Sequence, residues 1–214
     1  MSKASPHRRV AAEKPRLPEL PARRGAYAVV LDAALRLFAE RGYGGTSVRD
    51  IATVAEVQPA TLYAHFPSKA HVLAELVRIG HEVHQQRFRE ALLEVQPAPR
   101  LQLAAMVRAH VSMHADYPML AVVANAELHA LPAELAAPAL QLRRESEQLL
   151  LEIVERGVRL GEFSVAQPWL AVAAIGSMGL RVANWYTPDL GMGVDAVADA
   201  YVEFAWRIVG AKPQ

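Results

Sequence analysis

The sequence predicts an all-α protein of about nine helices, and three observations support that prediction. Apolar residues recur at helical spacing, with no strand-like alternation of useful length and no internal repeat. Prolines and glycines fall between the apolar runs, where they end helices. Apolar residues make up 52% of the 214 residues and charged residues 21%, which is typical of a folded chain with one or two cores.

The first 24 residues predict a basic, disordered arm. They carry seven Lys or Arg and two Glu, a net charge of +5 in a chain whose total is +1. Four prolines within the first 21 residues oppose regular structure. Such an arm either meets an anionic partner, of which nucleic acid is the commonest, or only solubilises the chain.

The first two helices follow the arm. A helix is predicted over 26–41, because apolar residues share one face of it and Gly42 then stops it. A short helix is predicted over 48–54, with Thr46 or Ser47 as its N-terminal cap.

A second short helix and a long one come next. The short helix is predicted over 59–64, since the missing N–H of Pro59 costs nothing in a first helical turn and Phe66-Pro67 ends the pattern. Ser68 is expected to cap a long helix that runs from Lys69 to about Glu94.

Beyond residue 97 nearly all of the chain has helical spacing, interrupted by prolines and glycines. Five further helices are predicted, at 100–116, 118–130, 133–160, 167–187 and 194–209.

The two short helices with their flanking helices form a helix-turn-helix, in which the second short helix enters the DNA major groove. Leu62 and Phe66 lie four residues apart and should anchor that helix to a core. The anchoring core is expected to contain Leu37, Phe38, Ile51 and Val57. The residues left facing outward are Gln58, Pro59, Ala60, Thr61, Tyr63, Ala64 and His65, and such small, amide and hydroxyl side chains suit close approach to bases.

Several fixed elements coincide within residues 29–76: Leu37-Phe38, Gly42-Tyr43, Thr46-Ser47, Ile51-Ala52, Thr61-Leu62-Tyr63, His65-Phe66 and Ser68-Lys69. With them the segment closely resembles the DNA-binding domain of the TetR family of transcription regulators. The resemblance implies a DNA-binding domain over 25–70 and a helical ligand-binding and dimerisation domain over 71–214. It also implies a ligand-responsive repressor that binds a palindromic operator in double-stranded DNA as a homodimer. The alternatives are an activator of the same fold and a helical interaction module that does not bind DNA.

The resemblance also implies roles for single residues. Phosphate contacts fall to Thr46, Ser47, Tyr63, His65 and Lys69, and base contacts to Gln58, Pro59, Ala60 and Ala64. Thr46 acting only as a cap, and His65 acting only in packing, remain open. The sequence departs from the family at Glu56, where Gly is usual, and at Gln58, where a capping Ser or Thr is usual.

The C-terminal part predicts a ligand site and a dimer surface. Soft Met side chains among apolar residues suit a lipophilic effector, although they suit a plain helical core equally well. The ending Arg-x-x-x-Trp-Tyr-x-Pro is similar to that of relatives which respond to acyl-CoA thioesters. The predicted ligand-binding residues are Met106, His110, Met113, Arg181 and Trp185. The predicted dimer interface contains Ala173, Gly176, Gly179, Tyr201 and Phe204.

The remaining patterns argue against other classes of protein. His110 and His114 lie four residues apart, but no third ligand stands at a diagnostic spacing, so neither a metal site nor a cofactor is expected. No phosphate loop, nucleophile elbow or paired-carboxylate motif indicates an enzyme. The uncharged stretch that ends at residue 180 is interrupted by Pro168, Gly176 and Gly179, so no membrane span is expected there. A cytoplasmic, nucleoid-associated protein is therefore expected.

Overall fold

In a computed structural model, which describes residues 16–19 and 24–212, the protein is all-α, as predicted. The described residues form ten α-helices and two 3-10 helices and contain no strand. The α-helices are α1 (Gly25–Arg41), α2 (Val48–Val54), α3 (Pro59–His65), α4 (Lys69–Leu93), α5 (Pro99–Asp116), α6 (Pro118–Ala126), α7 (Ala133–Arg159), α8 (Pro168–Leu180), α9 (Val182–Trp185) and α10 (Val194–Ile208). The 3-10 helices are Leu128–Ala130 and Pro188–Leu190.

Two of the predicted helices are broken in the structure. The helix expected over 118–130 ends at Ala126, and a 3-10 helix follows it. The helix expected over 167–187 divides into α8 and α9 because Arg181 leaves the helical pattern, with its N–H directed at the Gly179 carbonyl oxygen. The other helices lie within two residues of their predicted bounds.

The chain forms two compact units. We call the described residues 16–19, 24–83 and 117–141 the N-terminal unit, and residues 84–116 and 142–212 the C-terminal unit. The helices α4 and α7 contribute residues to both.

The N-terminal unit is built on one apolar core. Helix α1 packs against α2, α3 and α6, and Phe38 and Leu62 are almost completely buried. The core continues past the predicted domain boundary at residue 70, since Leu73 and Leu76 of α4 are fully buried in it. Leu17 is also buried there, although 16–19 form no helix. The rest of the basic arm, apart from Arg24, lies outside the described residues.

In the C-terminal unit, α5 packs against α8, α9 and α10. Leu103 of α5, Val154 of α7 and Val202 of α10 are fully or almost fully buried in one apolar cluster. On the surface of this unit, Arg108 and Asp199 form an ion pair of 2.6 Å that joins α5 to α10. Across the part of the chain that the structure describes, no helix has the length and apolar character needed to cross a membrane.

Candidate nucleic-acid interface and effector-binding region

The start of α2 is held by a reciprocal cap. The Ser47 hydroxyl accepts a hydrogen bond of 3.1 Å from the Asp50 N–H, and the Asp50 carboxylate accepts one of 2.8 Å from the Ser47 N–H. These contacts satisfy two of the N–H groups that a helix leaves unpaired at its start. The Ser47 hydroxyl and N–H keep the pKa of Asp50 below its usual value. A phosphate bound at Ser47 would therefore have to displace a carboxylate.

The turn between α2 and α3 is closed by a hydrogen bond of 3.0 Å from the Val57 N–H to the Ala52 carbonyl oxygen. Glu56 adopts a positive φ of 54°, a conformation in which a Cβ atom is crowded. This is the position at which the resembling family usually has Gly. The sequence thus places a strained, acidic residue in the turn of the helix-turn-helix.

Helix α3 presents the face that its spacing predicts. Leu62 and Phe66 are buried in the core that contains Leu37, Phe38 and Ile51, with Val57 packed against it. Thr61 is half-buried, and Tyr63 is 52% exposed. The side chain of Gln58 forms no cap, so α3 begins on Pro59 without one. The other exposed residues of this face are Gln58, Pro59, Ala60, Ala64 and His65.

Tyr27 of α1 fixes the end of α3. Its ring stacks on Phe66 at a centroid distance of 5.1 Å and meets the edge of His65 at 6.2 Å. Its hydroxyl donates to the Glu75 carboxylate, which also binds Arg78. Burial, together with Glu75, raises the pKa of Tyr27 to about 12. His65 thus packs on Tyr27 and still remains exposed.

The structure corrects two of the predicted phosphate contacts. The Thr46 side chain is buried, and its hydroxyl donates to the Gly42 carbonyl oxygen at 2.9 Å, so it is not available to DNA. The Lys69 ammonium donates to the carbonyl oxygens of Tyr43 and Thr46, both at 2.7 Å, and lies 3.9 Å from the Tyr43 ring centroid. Lys69 therefore ties the start of α4 to the loop before α2. Burial lowers its pKa.

Sequence reasoning missed two exposed cations of the N-terminal unit. Arg49 lies in the first turn of α2, and Arg41 ends α1. Both are exposed. Arg49 follows the capping Ser47 by two residues, and that position could have marked it as a candidate phosphate contact.

In the C-terminal unit, three of the predicted ligand-binding residues are interior. Met106 and Met113 are 1% and 2% exposed, as core-filling side chains would be. His110 is also buried, and its Nε2 lies 3.0 Å from the Gly176 carbonyl oxygen of α8. Burial lowers the pKa of His110, and the contact with Gly176 opposes that shift.

The other two predicted ligand residues lie nearer the surface. Arg181 is exposed, and Trp185 is half-buried. The Trp185 ring stacks on Tyr201 with a centroid distance of 6.5 Å and an interplanar angle of 26°. The aromatic partner of Trp185 is thus a residue that was predicted to line the dimer interface.

The predicted dimer residues divide into two groups. Ala173 and Phe204 are exposed and Gly176 is half-exposed, with open space where its side chain would be. Gly179 is buried, and a Cβ atom added to it would lie 1.9 Å from Cδ2 of His110. Gly179 therefore packs inside its own unit, and its assignment to the dimer surface is wrong. Tyr201 is half-buried, with its ring 5.8 Å from that of Phe204.

Two large apolar residues at the start of α8 were missed. Trp169 is 58% exposed and Leu170 is 50% exposed. Trp169, Ala173 and Gly176 are spaced three and four residues apart, so they share one face of the helix. The small residues Ala173, Gly176 and Gly179 dominate the sequence pattern of this stretch, and that pattern gives no signal for the exposed aromatic residue that precedes them.

The fold agrees with comparisons to known proteins. The sequence-family model described as "Tetracyclin repressor-like, C-terminal domain" matches residues 96–209. The family model described as "Bacterial regulatory proteins, tetR family" matches residues 30–76. The HTH-type transcriptional repressor KstR2 from Rhodococcus jostii is 29% identical over 174 residues, which are 81% of this chain and 85% of that protein.

Two solved structures share the fold. A bacterial regulatory protein in the TetR family from Rhodococcus RHA1 is 30% identical with a TM-score of 0.82, over 89% of this chain and 100% of that one. AibR, in complex with isovaleryl coenzyme A and operator DNA, is 21% identical with a TM-score of 0.74, over 88% of this chain and 100% of that one. The chain therefore belongs to the TetR family, a family of DNA-binding bacterial regulatory proteins.

Proposed function

We propose that this protein is a ligand-responsive transcriptional repressor that binds a palindromic operator as a homodimer. The observation that carries the proposal is the outward face of α3, where small and polar side chains surround an exposed Tyr63 while Leu62 and Phe66 hold the helix to the core. Such a face allows close approach to base edges in the major groove. The similarity to a repressor over most of both chains supports the direction of control.

The proposed DNA contacts fall into two classes. Gln58, Pro59, Ala60 and Ala64, with Thr61 beside them, face the bases, where an amide bonds adenine and small apolar groups meet thymine methyls. Tyr63 and His65 hold the phosphate backbone, joined by Arg49 and the start of α2 at Ser47. Lys69 contributes by positioning the loop before α2, since two of its donors are used on that loop.

The dimer is proposed to form through α8 and α10. One recognition helix contacts only a few base pairs, so specificity requires two copies about 34–36 Å apart. Trp169, Leu170 and Ala173 of α8 and Phe204 of α10 expose apolar surface that a second copy would cover. A half-exposed Gly176 lets the helices approach closely.

An acyl-CoA thioester is the effector that we propose. Arg181 is exposed and can donate hydrogen bonds to a phosphate group. Trp185, one helical turn further on, offers an aromatic ring for stacking. The acyl chain would lie among apolar residues of the same unit, near Met106, Met113 and His110, where thioether side chains adapt to its shape. AibR, which shares the fold, was solved with isovaleryl coenzyme A.

Control would act through the spacing of the two recognition helices. A ligand that binds one spacing a few kcal/mol more tightly than the other moves the population towards it. A shift of a few ångströms is sufficient, because it weakens the phosphate contacts on both half-sites together.

Fluorescence anisotropy with promoter DNA from the gene's own neighbourhood tests the proposal. We expect nanomolar binding to a palindrome, competed weakly by random DNA of the same length, and release by an acyl-CoA but not by free coenzyme A. Equal affinity for random and promoter DNA would overturn the repressor. If the protein binds the promoter specifically but neither short-chain nor long-chain acyl-CoA thioesters release it, only the proposed effector would be wrong.

A further inference from the structure

Three histidines converge in the C-terminal unit. His84 comes from α4, and His110 and His114 come from successive turns of α5. One ring nitrogen from each lies within 4.8 Å of the others. Nε2 of His84 is 2.7 Å from Nδ1 of His110, and the ring centroids of His110 and His114 are 4.4 Å apart. The third histidine precedes the pair by 26 residues, a separation that no local motif reveals.

Backbone carbonyl groups set the tautomers of two of these rings. Nε2 of His110 lies 3.0 Å from the Gly176 carbonyl oxygen, and Nδ1 of His114 lies 2.7 Å from the His110 carbonyl oxygen. A carbonyl accepts only, so in the neutral rings both of these nitrogens carry the hydrogen. The lone pairs are then on Nδ1 of His110 and Nε2 of His114. A ligating imidazole in a metal site typically donates its other N–H to a carbonyl or carboxylate in this way.

We propose that His84, His110 and His114 form a binding site for a divalent transition-metal ion such as Zn²⁺. Three imidazole nitrogens that bind Zn²⁺ at about 2.0–2.1 Å in tetrahedral geometry lie about 3.3 Å apart. That separation falls between the 2.7 Å from Nε2 of His84 to Nδ1 of His110 and the 4.8 Å that bounds the three residues. The ion takes the place of the hydrogen bond between His84 and His110. His84 then carries its proton on Nδ1 and gives its Nε2 lone pair to the metal, so that all three ligands are neutral.

The surroundings determine which ions suit this site. Three imidazoles favour Zn²⁺, Cu²⁺, Ni²⁺ or Co²⁺ over Mg²⁺ and Ca²⁺, which prefer oxygen. His110 and His114 are buried, whereas His84 is half-buried and gives access from solvent. A tetrahedral ion would keep its fourth position for water or an exogenous anion.

Co²⁺ binding to the untagged, chelator-treated protein tests the site, because four-coordinate Co²⁺ absorbs strongly in visible light. We expect one equivalent per chain, displaced by Zn²⁺. His84→Gln should weaken binding by about 100-fold or more, since loss of an outer-shell partner alone costs about 10–100-fold. His129→Gln is the matched control, because His129 is exposed and lies outside the cluster. It should bind as the wild type does.

Two results would overturn the proposal. The first is that the wild-type protein at 100 µM binds neither Co²⁺ nor Zn²⁺ stoichiometrically. The second is that His84→Gln binds Co²⁺ as tightly as the wild type does. If His84→Gln does not fold, X-ray absorption of the Zn²⁺-loaded wild type decides. Three imidazole nitrogens at about 2.0 Å support the site, and fewer than three contradict it. Neither measurement involves DNA, so the result is independent of the proposed repressor function.

Discussion

Helices α3 and α8 differ in what each shows to solvent. Helix α3 buries Leu62 and exposes small and polar residues around Tyr63. Helix α8 begins with Trp169 and Leu170 half-exposed or more, and it buries Gly179 against the imidazole of His110. Both helices have a buried apolar anchor, Leu62 on α3 and Ile175 on α8, but only α8 also exposes large apolar side chains and buries a glycine.

This difference shows which buried residues follow from the local sequence pattern and which depend on contacts with another helix. On α3 the i, i+4 pair Leu62 and Phe66 marks the buried side, and every other residue follows from helical geometry. On α8 two glycines three residues apart have different environments, because a Cβ atom at Gly179 would point at the His110 ring, whereas one at Gly176 would point into open space and only the Gly176 carbonyl oxygen contacts that histidine. A helix pattern alone does not distinguish them.

The largest effect is expected from substituting these two glycines one at a time. Gly176→Leu should abolish the dimer and lower operator affinity by about 100-fold or more, because the avidity of two half-sites is lost. Folding should not suffer, since the side chain enters open space and Leu is the better helix former by up to about 1 kcal/mol. Analytical ultracentrifugation and operator titration measure both effects.

Gly179→Leu is the matched variant. It should leave the dimer surface intact and lower the stability of the fold. Its side chain collides with His110, so we expect a loss of about 2–3 kcal/mol in the free energy of unfolding, measured with urea. A dimeric, operator-binding Gly176→Leu protein would show that α8 does not form the interface.

The helix-turn-helix was predicted nearly completely from sequence, because its caps, turn and anchors act within a few residues. The cap at Ser47 and the buried Leu62 are examples. Predictions failed where a side chain is bound by residues distant along the chain. Lys69 is tied to a carbonyl 26 positions away, and His84 meets His110 across the same separation. No spacing rule connects such pairs before the fold is known.

The next prediction tests the exposed aromatic of α3. Tyr63→Ala should weaken binding to all DNA sequences by about 1–2 kcal/mol, the scale of a lost hydrogen bond to a charged phosphate. Tyr63→Phe separates the hydroxyl from the ring and should account for most of that loss. Anisotropy titration at fixed salt measures both, and an unchanged affinity for Tyr63→Ala would remove this residue from the interface.

A smaller effect is expected at Tyr27, which joins α1 to the end of α3. Tyr27→Phe keeps the stack on Phe66 and loses the hydrogen bond to Glu75, at a cost of about 1 kcal/mol at pH 8. The pKa of this hydroxyl is about 12 in the folded protein and 10 ordinarily, so the unfolded chain loses its proton first. The stabilisation is therefore complete below pH 10 and is lost as the pH rises towards 12.

Urea midpoints at pH 8 and pH 11 test this expectation. The difference between wild type and Tyr27→Phe should shrink at the higher pH. A difference that stays the same or grows with pH would mean that the surroundings do not hold the hydroxyl protonated.

The smallest effect is expected at Glu56, where the turn of the helix-turn-helix departs from its family. A non-Gly residue at this φ of 54° costs about 1–2 kcal/mol. Glu56→Gly removes that strain and adds freedom to the unfolded chain, so we expect a net gain of about 0.5 kcal/mol in urea. Glu56→Gln keeps the strain and removes only the charge.

Both variants should bind DNA slightly more tightly at low salt, because an exposed carboxylate beside α3 repels phosphate. Only Glu56→Gly should be more stable. If the two variants were equally stable, the backbone of this turn would carry no strain, and the effect of Glu56 would be electrostatic alone.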